Sequence, residues 1–380
     1  MTGTIEIQWQ ETIEMRPYDH RYRLILTFAI FVLFICVLSG CAMVGPSSIS
    51  AGRGDYNEAI NRTEDEQLLL SIVKGRYGEM SSMLSVTGVA ANIRFRANAG
   101  VQAGFGPTNN YLGNLVPFTG GLAYEENPTI TYSPIRGEIY LRQVMTPIPL
   151  DLFLLAIRSM ESGGGLFVLL VDRINDLRNP DFVDSSAALS DSRFMRFVEL
   201  FRVLHGAGVL ELLGDPKKEI VFNMVIGNYA PRYTKKVTEI LTLLDLPVPT
   251  DGRRDIIIPA YFTVRAGRLE GIAITTRSTL DLIEIMRASI EVPEAHARAG
   301  LTIDFRPVGL AGQGLRIISS EEKPQYTSLA VKYRGYWFYI YEADQKTKAF
   351  FRVLRTFWSV CMATAEDRSD APILTIPVGR

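Results

Sequence analysis

The sequence predicts an α+β fold, with mixed helices and antiparallel sheets and a long N-terminal β-hairpin. Three observations predict it. Some segments carry apolar residues at helical spacing, while others alternate or run continuously apolar, and no regular strand–helix–strand rhythm links them. Residues 91–106 alternate apolar with polar or glycine over more positions than an ordinary strand has. Glycine, proline and asparagine clusters punctuate the chain at short intervals. With 380 residues, 47% of them hydrophobic, there is material for one large or two medium cores. Lys plus Arg is 40 and Asp plus Glu is 41, so no overall positive field points to nucleic acid.

The first element is the apolar run Leu24–Leu38. At 15 residues it is shorter than the ~20 of a spanning helix and fits the apolar core of a signal peptide. Arg16, His20, Arg21 and Arg23 precede it, whereas residues 1–14 hold Glu6, Glu11 and Glu14 and no basic residue, so Met15 is the better-placed start for such a leader. The run ends in Leu38-Ser39-Gly40-Cys41, which resembles the lipobox of bacterial lipoproteins. That resemblance implies cleavage before Cys41 and acylation of its thiol. Two or more acyl chains exceed the single chain that anchors only marginally. Ala42, rather than an aspartate, follows the cysteine, and by resemblance to enterobacterial sorting this implies the outer membrane. With Cys36 in the leader and Cys41 acylated, only Cys361 remains, which excludes an intrachain disulfide.

The domains expected are a signal peptide at 1–40, a lipidated N-terminus and tether at 41–54, an α+β domain at 55–246 holding the hairpin at 90–133, a linker at 247–254 and a second α+β domain at 255–380. Residues 55–77 read as a helix with a capping box at Thr63 and Glu66 and glycines at 75 and 78 near its end. In the alternating stretch Ile93, Phe95, Val101 and Phe105 share the apolar parity and are the candidate membrane or subunit contacts. Residues 121–132 return as a second strand with poorer alternation, and Pro128 would remove a ladder hydrogen bond. Two readings stand: a hairpin contributed to a multi-subunit membrane barrel, or a long hairpin with one wet face.

Pro147 and Pro149 introduce a helix over LDLFLLAIRSM that stops near Gly163–Gly165, a glycine run lacking any phosphate-loop signature. LFVLLVDRIND, from Leu166, reads as a buried strand. Residues 193–205 and 234–244 are amphipathic helices, and 209–213 with 219–226 a hairpin turned at Gly214-Asp215-Pro216. After the linker come strands in DIIIPAYFTV and GIAITTRST, a helix over 279–289 capped by Ser278, an aromatic strand over 329–340, a helix over AFFRVLRTFWSVCMATA and a short strand, ILTIPV.

Chemistry is sparse. The mature chain has two histidines, His205 and His296, neither with a ligand-spaced partner, and both read as structural or surface residues. No HExxH, paired CxxC or GxSxG is present, so no metal, cofactor or catalytic residue is expected. Cys361, between Val360 and Met362, reads as a buried inert thiol. Tyr333, Trp337 and Tyr339, placed on one parity of a continuous strand, form the candidate partner-binding set, and core packing against the following helix is the alternative role.

The segments DYNEAINRTEDEQLLLSIVKGRYG, ENPTITYSP, RQVMTPIPL and VKYRGYWFYI, together with the lipobox, resemble uncharacterised proteobacterial outer-membrane lipoproteins. The resemblance implies an envelope location and carries no catalytic residue. The expected function is a non-enzymatic, lipid-anchored scaffold or assembly subunit of the outer membrane and periplasm. It is held by its lipid and contacts other envelope proteins or itself, without nucleic acid. A subunit of an oligomeric export pore is the alternative, and a periplasmic ligand-binding protein or enzyme a second one.

Overall fold

The computed structural model describes residues 24–25, 27–28, 30–31, 44–79, 83–90, 93–101, 118–126, 129–135, 138–159, 163–183, 192–214, 221–227, 229–249, 255–262, 271–367 and 374–377. By contacts the chain divides into residues 1–61 and 62–380. In order, the elements are α1 (Val44–Arg76), β1 (Met83–Ala90), β2 (Ile93–Val101), β3 (Phe118–Glu126), β4 (Thr129–Ile135), α2 (Glu138–Met145), α3 (Leu150–Ser159), α4 (Gly163–Leu170), β5 (Val171–Ile174) and β6 (Leu177–Arg178). Then follow α5 (Ser192–Gly206), β7 (Leu210–Gly214), β8 (Val221–Ile226), α6 (Thr234–Leu243), β9 (Ile256–Phe262), β10 (Ile272–Thr276), α7 (Thr279–Ala288) and α8 (Glu294–Arg298). The last are β11 (Ile318–Ser320), β12 (Ala330–Tyr333), β13 (Tyr336–Tyr339), α9 (Gln345–Asp367) and β14 (Leu374–Pro377). This is a mixed α+β fold with several antiparallel sheets and one mixed sheet. Among the described residues no helix is long and apolar enough to cross a membrane.

The largest sheet runs β6-β5-β10-β9-β8-β7, antiparallel except for the β9–β10 pair. Strands from either side of the 247–254 segment are neighbours in it, because β8 pairs with β9. The expected domains 55–246 and 255–380 therefore share one sheet, inside one compact 62–380 unit. Parallel β10 is held close to β9 at Gly271. Its φ of 145° belongs to glycine, and a Cβ there would lie 2.2 Å from the Pro259 carbonyl oxygen.

Packed apolar helix faces supply much of the core. Phe167 of α4 meets Phe153 of α3 and Phe197 and Phe201 of α5 edge-on, with ring centroids 5.2, 5.5 and 4.5 Å apart. His205 stacks on Phe201 at 5.3 Å and donates from Nδ1 to the Leu210 carbonyl at 2.9 Å, fastening α5 to β7. Burial takes Leu166, Phe167 and Leu170 together with Val171 and Ile174.

A second set of contacts is polar. Arg277 is 1% exposed. Its Nη1 donates to the carbonyls of Val168, Leu169 and Val171 at 2.8, 2.9 and 3.0 Å, its Nη2 to Asn179 at 2.6 Å, and its Nε pairs with Asp181. The Val168 and Leu169 carbonyls end α4, where helix oxygens lack intrahelical partners and a cation is favoured. Asn179 adds two bonds, to Val168 at 2.9 Å and to Val171 at 2.6 Å.

Several boundaries differ from expectation for physical reasons. Residues 166–170 are the end of a helix and only 171–174 are strand, because a short apolar run has no period that separates the two, and the Arg277 cap settles it. Helix α1 already begins at Val44, inside the expected tether, so Thr63 lies in its interior and is no N-cap. The expected single strand 329–340 is two strands, β12 and β13. Ser278 does cap α7, accepting from the Asp281 amide at 3.2 Å while Asp281 accepts from the Ser278 amide at 2.7 Å. Ser278→Ala is expected to lower stability by about 1 kcal/mol, read as a shifted urea midpoint at constant slope. An unchanged midpoint would refute the role of the cap.

Candidate interaction surfaces

Two regions carry the sequence-predicted sites, and both adjoin the end of α1. The first is the small sheet β11-β13-β12. Between β12 and β13, Arg334 and Gly335 have φ of 46° and 89°, the double left-handed turn that suits a tight hairpin. Val331 opposes Phe338 and Tyr333 opposes Tyr336, so these four share a face, and Val331 and Phe338 are buried. Lys332 opposes Trp337 and Ala330 opposes Tyr339 on the other face. The candidate set is thereby divided. Trp337 and Tyr339 stay together, but the turn puts Tyr333 on the opposite face, where a continuous strand would have kept all three aligned. The Lys323 and Lys332 ammonium groups lie 5.3 and 6.0 Å from the centre of the half-buried Trp337 ring, a cationic frame around an aromatic.

On the inner face Tyr77, just after α1, is the hub. Its ring meets those of His296, Tyr333 and Phe338 at 5.6, 5.1 and 6.3 Å, and its hydroxyl shares a 2.8 Å hydrogen bond with His296 Nδ1. Arg334 lies 5.2 Å above Tyr77 and 5.6 Å above Tyr333 and pairs with Glu79 at 2.7 Å. The Arg334–Gly335 turn thus docks onto the end of α1. Burial, then the neighbouring Tyr333, pushes the Tyr77 hydroxyl up to about 12. Burial and a hydrogen bond to Glu79 raise Tyr333 as well. Hydrogen bonds from Tyr333 and Arg334 hold the Glu79 carboxyl below its usual range.

A raised tyrosine resists ionisation only in the folded state. Its contribution is complete below the ordinary pKa near 10 and is lost as pH rises toward about 12. An alkaline titration followed by tyrosinate absorbance is therefore expected to show a late step near pH 12 that Tyr77→Phe removes. A Tyr77→Phe titration identical to that of the unaltered chain would overturn this assignment.

The second region is the set of strands that follows α1. β1 pairs with β4 in a ladder from Met83–Ile135 to Ala90–Thr129, and β2 pairs with β3 from Ile93–Glu126 to Val101–Phe118. Gln67 and β14 hold the base. Gln67 of α1 bonds the Leu84 amide and carbonyl at 3.2 and 3.3 Å. β14 adds to the free side of β4, Leu374 opposite Tyr132 and Pro377 opposite Thr129. The buried Ser133 lies on β4 within the same sheet. No third strand joins β2 or β3 among the described residues.

Of the predicted contact positions, Ile93, Phe95 and Val101 fall in β2, opposite Glu126, Tyr124 and Phe118. Phe105, Leu38, Ser39, Gly40 and Cys41 lie outside the described residues. Leu24, Ile25, Phe28, Ile30 and Phe31 are helical and exposed. Cys361, on α9, faces α7 and α2, its Sγ 3.3 Å from Thr279 Oγ1 and 3.6 Å from the Gln143 carbonyl, and burial raises its thiol pKa. Such a thiol is held in its unreactive form. Among the described residues no group of three or more His, Cys, Asp or Glu could hold a metal ion. Sequence reasoning missed Tyr77, Glu79 and Arg334. The signal for them was the Arg-Gly pair between two aromatic runs, which marks a turn.

Comparison of the chain with protein-family models, with curated proteins and with solved structures finds no match.

Proposed function

We infer that this chain is a lipid-anchored assembly subunit of the bacterial cell envelope, non-enzymatic, exported by its leader and held in the outer membrane through Cys41, with its body in the periplasm. It acts by binding copies of itself or other envelope proteins. The observation that carries this reading is the nine-pair β2–β3 ladder with no further strand beside it among the described residues. A two-stranded ladder is marginal in water and needs a third strand or another surface to persist. Long open edges invite pairing with another chain. The lipobox and the exposed apolar helical residues between Leu24 and Phe31 support the anchor. Trp337, framed by Lys323 and Lys332, and Tyr339 on the same face offer a further contact surface on the body.

The test is fractionation of cells labelled with a palmitate analogue, followed by native mass measurement in mild detergent. The unaltered chain is expected in the outer-membrane fraction, acylated and larger than one copy. Cys41→Ser is expected to lose the label and the processed form. An unlabelled compact monomer from the unaltered chain would end this reading.

A further inference from the structure

The pairing of β1 to β4 supports one step more, resting on the envelope-assembly reading. In the β2–β3 ladder each rise of one residue number is matched by a fall of one across it, from Ile93–Glu126 to Val101–Phe118. Beyond the bulge at Val86–Gly88, the β1–β4 pairs from Gly88–Thr131 to Ala90–Thr129 lie on the same count. Two residues separate the ladders on each arm, so both ladders keep one count with equal spacing between them. We propose that residues 83–101 and 118–135 are the arms of one continuous ribbon, and that its β2–β3 part crosses a lipid bilayer beside the same ribbon from further copies of this chain, closing a barrel.

The register sorts the sequence in the way a membrane wall requires. Directly opposed residues of an antiparallel pair belong to the same face. The register sets Phe95 opposite Tyr124, Ala97 opposite Leu122 and Val101 opposite Phe118. The alternate positions set Arg94 opposite Glu125 and Gly100 opposite Thr119. Phe118, Leu122 and Tyr124 of β3 thus meet the apolar parity of β2, while Ala123, opposite Arg96, and Gly120, opposite Ala99, break the alternation, which is weak in β3 read alone. Glu126, opposite Ile93, departs from the pattern at the body end of the ladder.

Length agrees. Nine residues in each strand match the ~9–11 of a transmembrane strand. β1 and β4 below them form a stem, which Gln67 and β14 fix to the body. Inside a bilayer neither edge of a two-stranded ribbon can stay unpaired. The occupant of both edges is a second copy, because a β2 edge laid against a neighbour's β3 edge meets a strand of equal length and matching alternation. Repeating that head-to-tail contact by rotation closes a ring.

The test uses the full chain, exported by its own leader and extracted from outer membranes, with single cysteines on a Cys361→Ser background. With a bilayer-partitioning fluorophore, Phe95→Cys, Ala97→Cys and Leu122→Cys are expected to report lipid. Arg96→Cys, Asn98→Cys and Gly121→Cys are expected to react at least tenfold faster with a water-phase maleimide. The purified oligomer is expected to conduct ions across planar bilayers of phosphatidylethanolamine and phosphatidylglycerol. Ala97→Arg is expected to abolish the oligomer while leaving the unfolding midpoint of the body unchanged. Equal water-phase labelling of both parities in an acylated, oligomeric protein would overturn the barrel and leave the assembly reading standing. An unacylated monomer would remove both.

Discussion

Replacing Arg277 with methionine is expected to destabilise the 62–380 unit by about 3–5 kcal/mol, the usual cost of breaking a buried charge pair from one side. The guanidinium is almost wholly buried and serves four carbonyls and one carboxylate. Methionine fills much of the same volume, so the loss is polar. The carbonyls that end α4 lose their donor, and Asp181 is left beside an apolar chain. Burial already raises the Asp181 carboxyl, and Arg277 is what opposes that shift. Asp181→Asn in the same chain removes the stranded charge and is expected to return part of the loss. Urea unfolding followed by tryptophan fluorescence measures both. A change below about 1 kcal/mol would show that these carbonyls find other donors.

Replacing residues 91–128 with Asn-Gly, so that Ala90 and Thr129 flank a two-residue turn, is expected to abolish assembly altogether and leave the body folded. Ala90 and Thr129 are directly opposed, and Asn-Gly is the loop that closes such a pair. The base stays held by Gln67, β14 and the β1–β4 ladder. A shortened chain that keeps the native mass of the full-length assembly would show that subunits meet elsewhere, with the Trp337 and Tyr339 face the next to examine. A chain with its unfolding midpoint lowered by many degrees would show that the ribbon also supports the body.

Local features were legible in the sequence, and long-range pairing was not. Helix α5 announced itself through Phe194, Phe197, Phe201 and Leu204, all of which are buried. The Ser278 cap was readable because its partner Asp281 lies three residues away. Leu166–Leu170 was unreadable because both its helical form and a strand would be apolar throughout, and the residue that ends the helix, Arg277, is remote in sequence. The 247–254 segment has the composition of a linker, yet the strands it joins are neighbours in one sheet. At the candidate surfaces, alternation in β2 could be seen, but its match to β3 emerged only from the register. The Tyr333, Trp337 and Tyr339 set failed because two residues with positive φ turn the chain back on itself.

β14 has a consequence in time. It adds a third strand to the β1–β4 sheet by pairing Leu374–Pro377 with residues 129–132, a contact between stretches far apart in the sequence. In synthesis from the N-terminus β1 to β4 are therefore made well before the strand that braces them. The brace cannot form until α9, which precedes it, has been made. Contacts so distant in sequence form slowly, so the pairing of β1 with β4 and its bracing by β14 are ordered events: a chain cut short before Leu374 would leave β4 with one neighbour in its sheet.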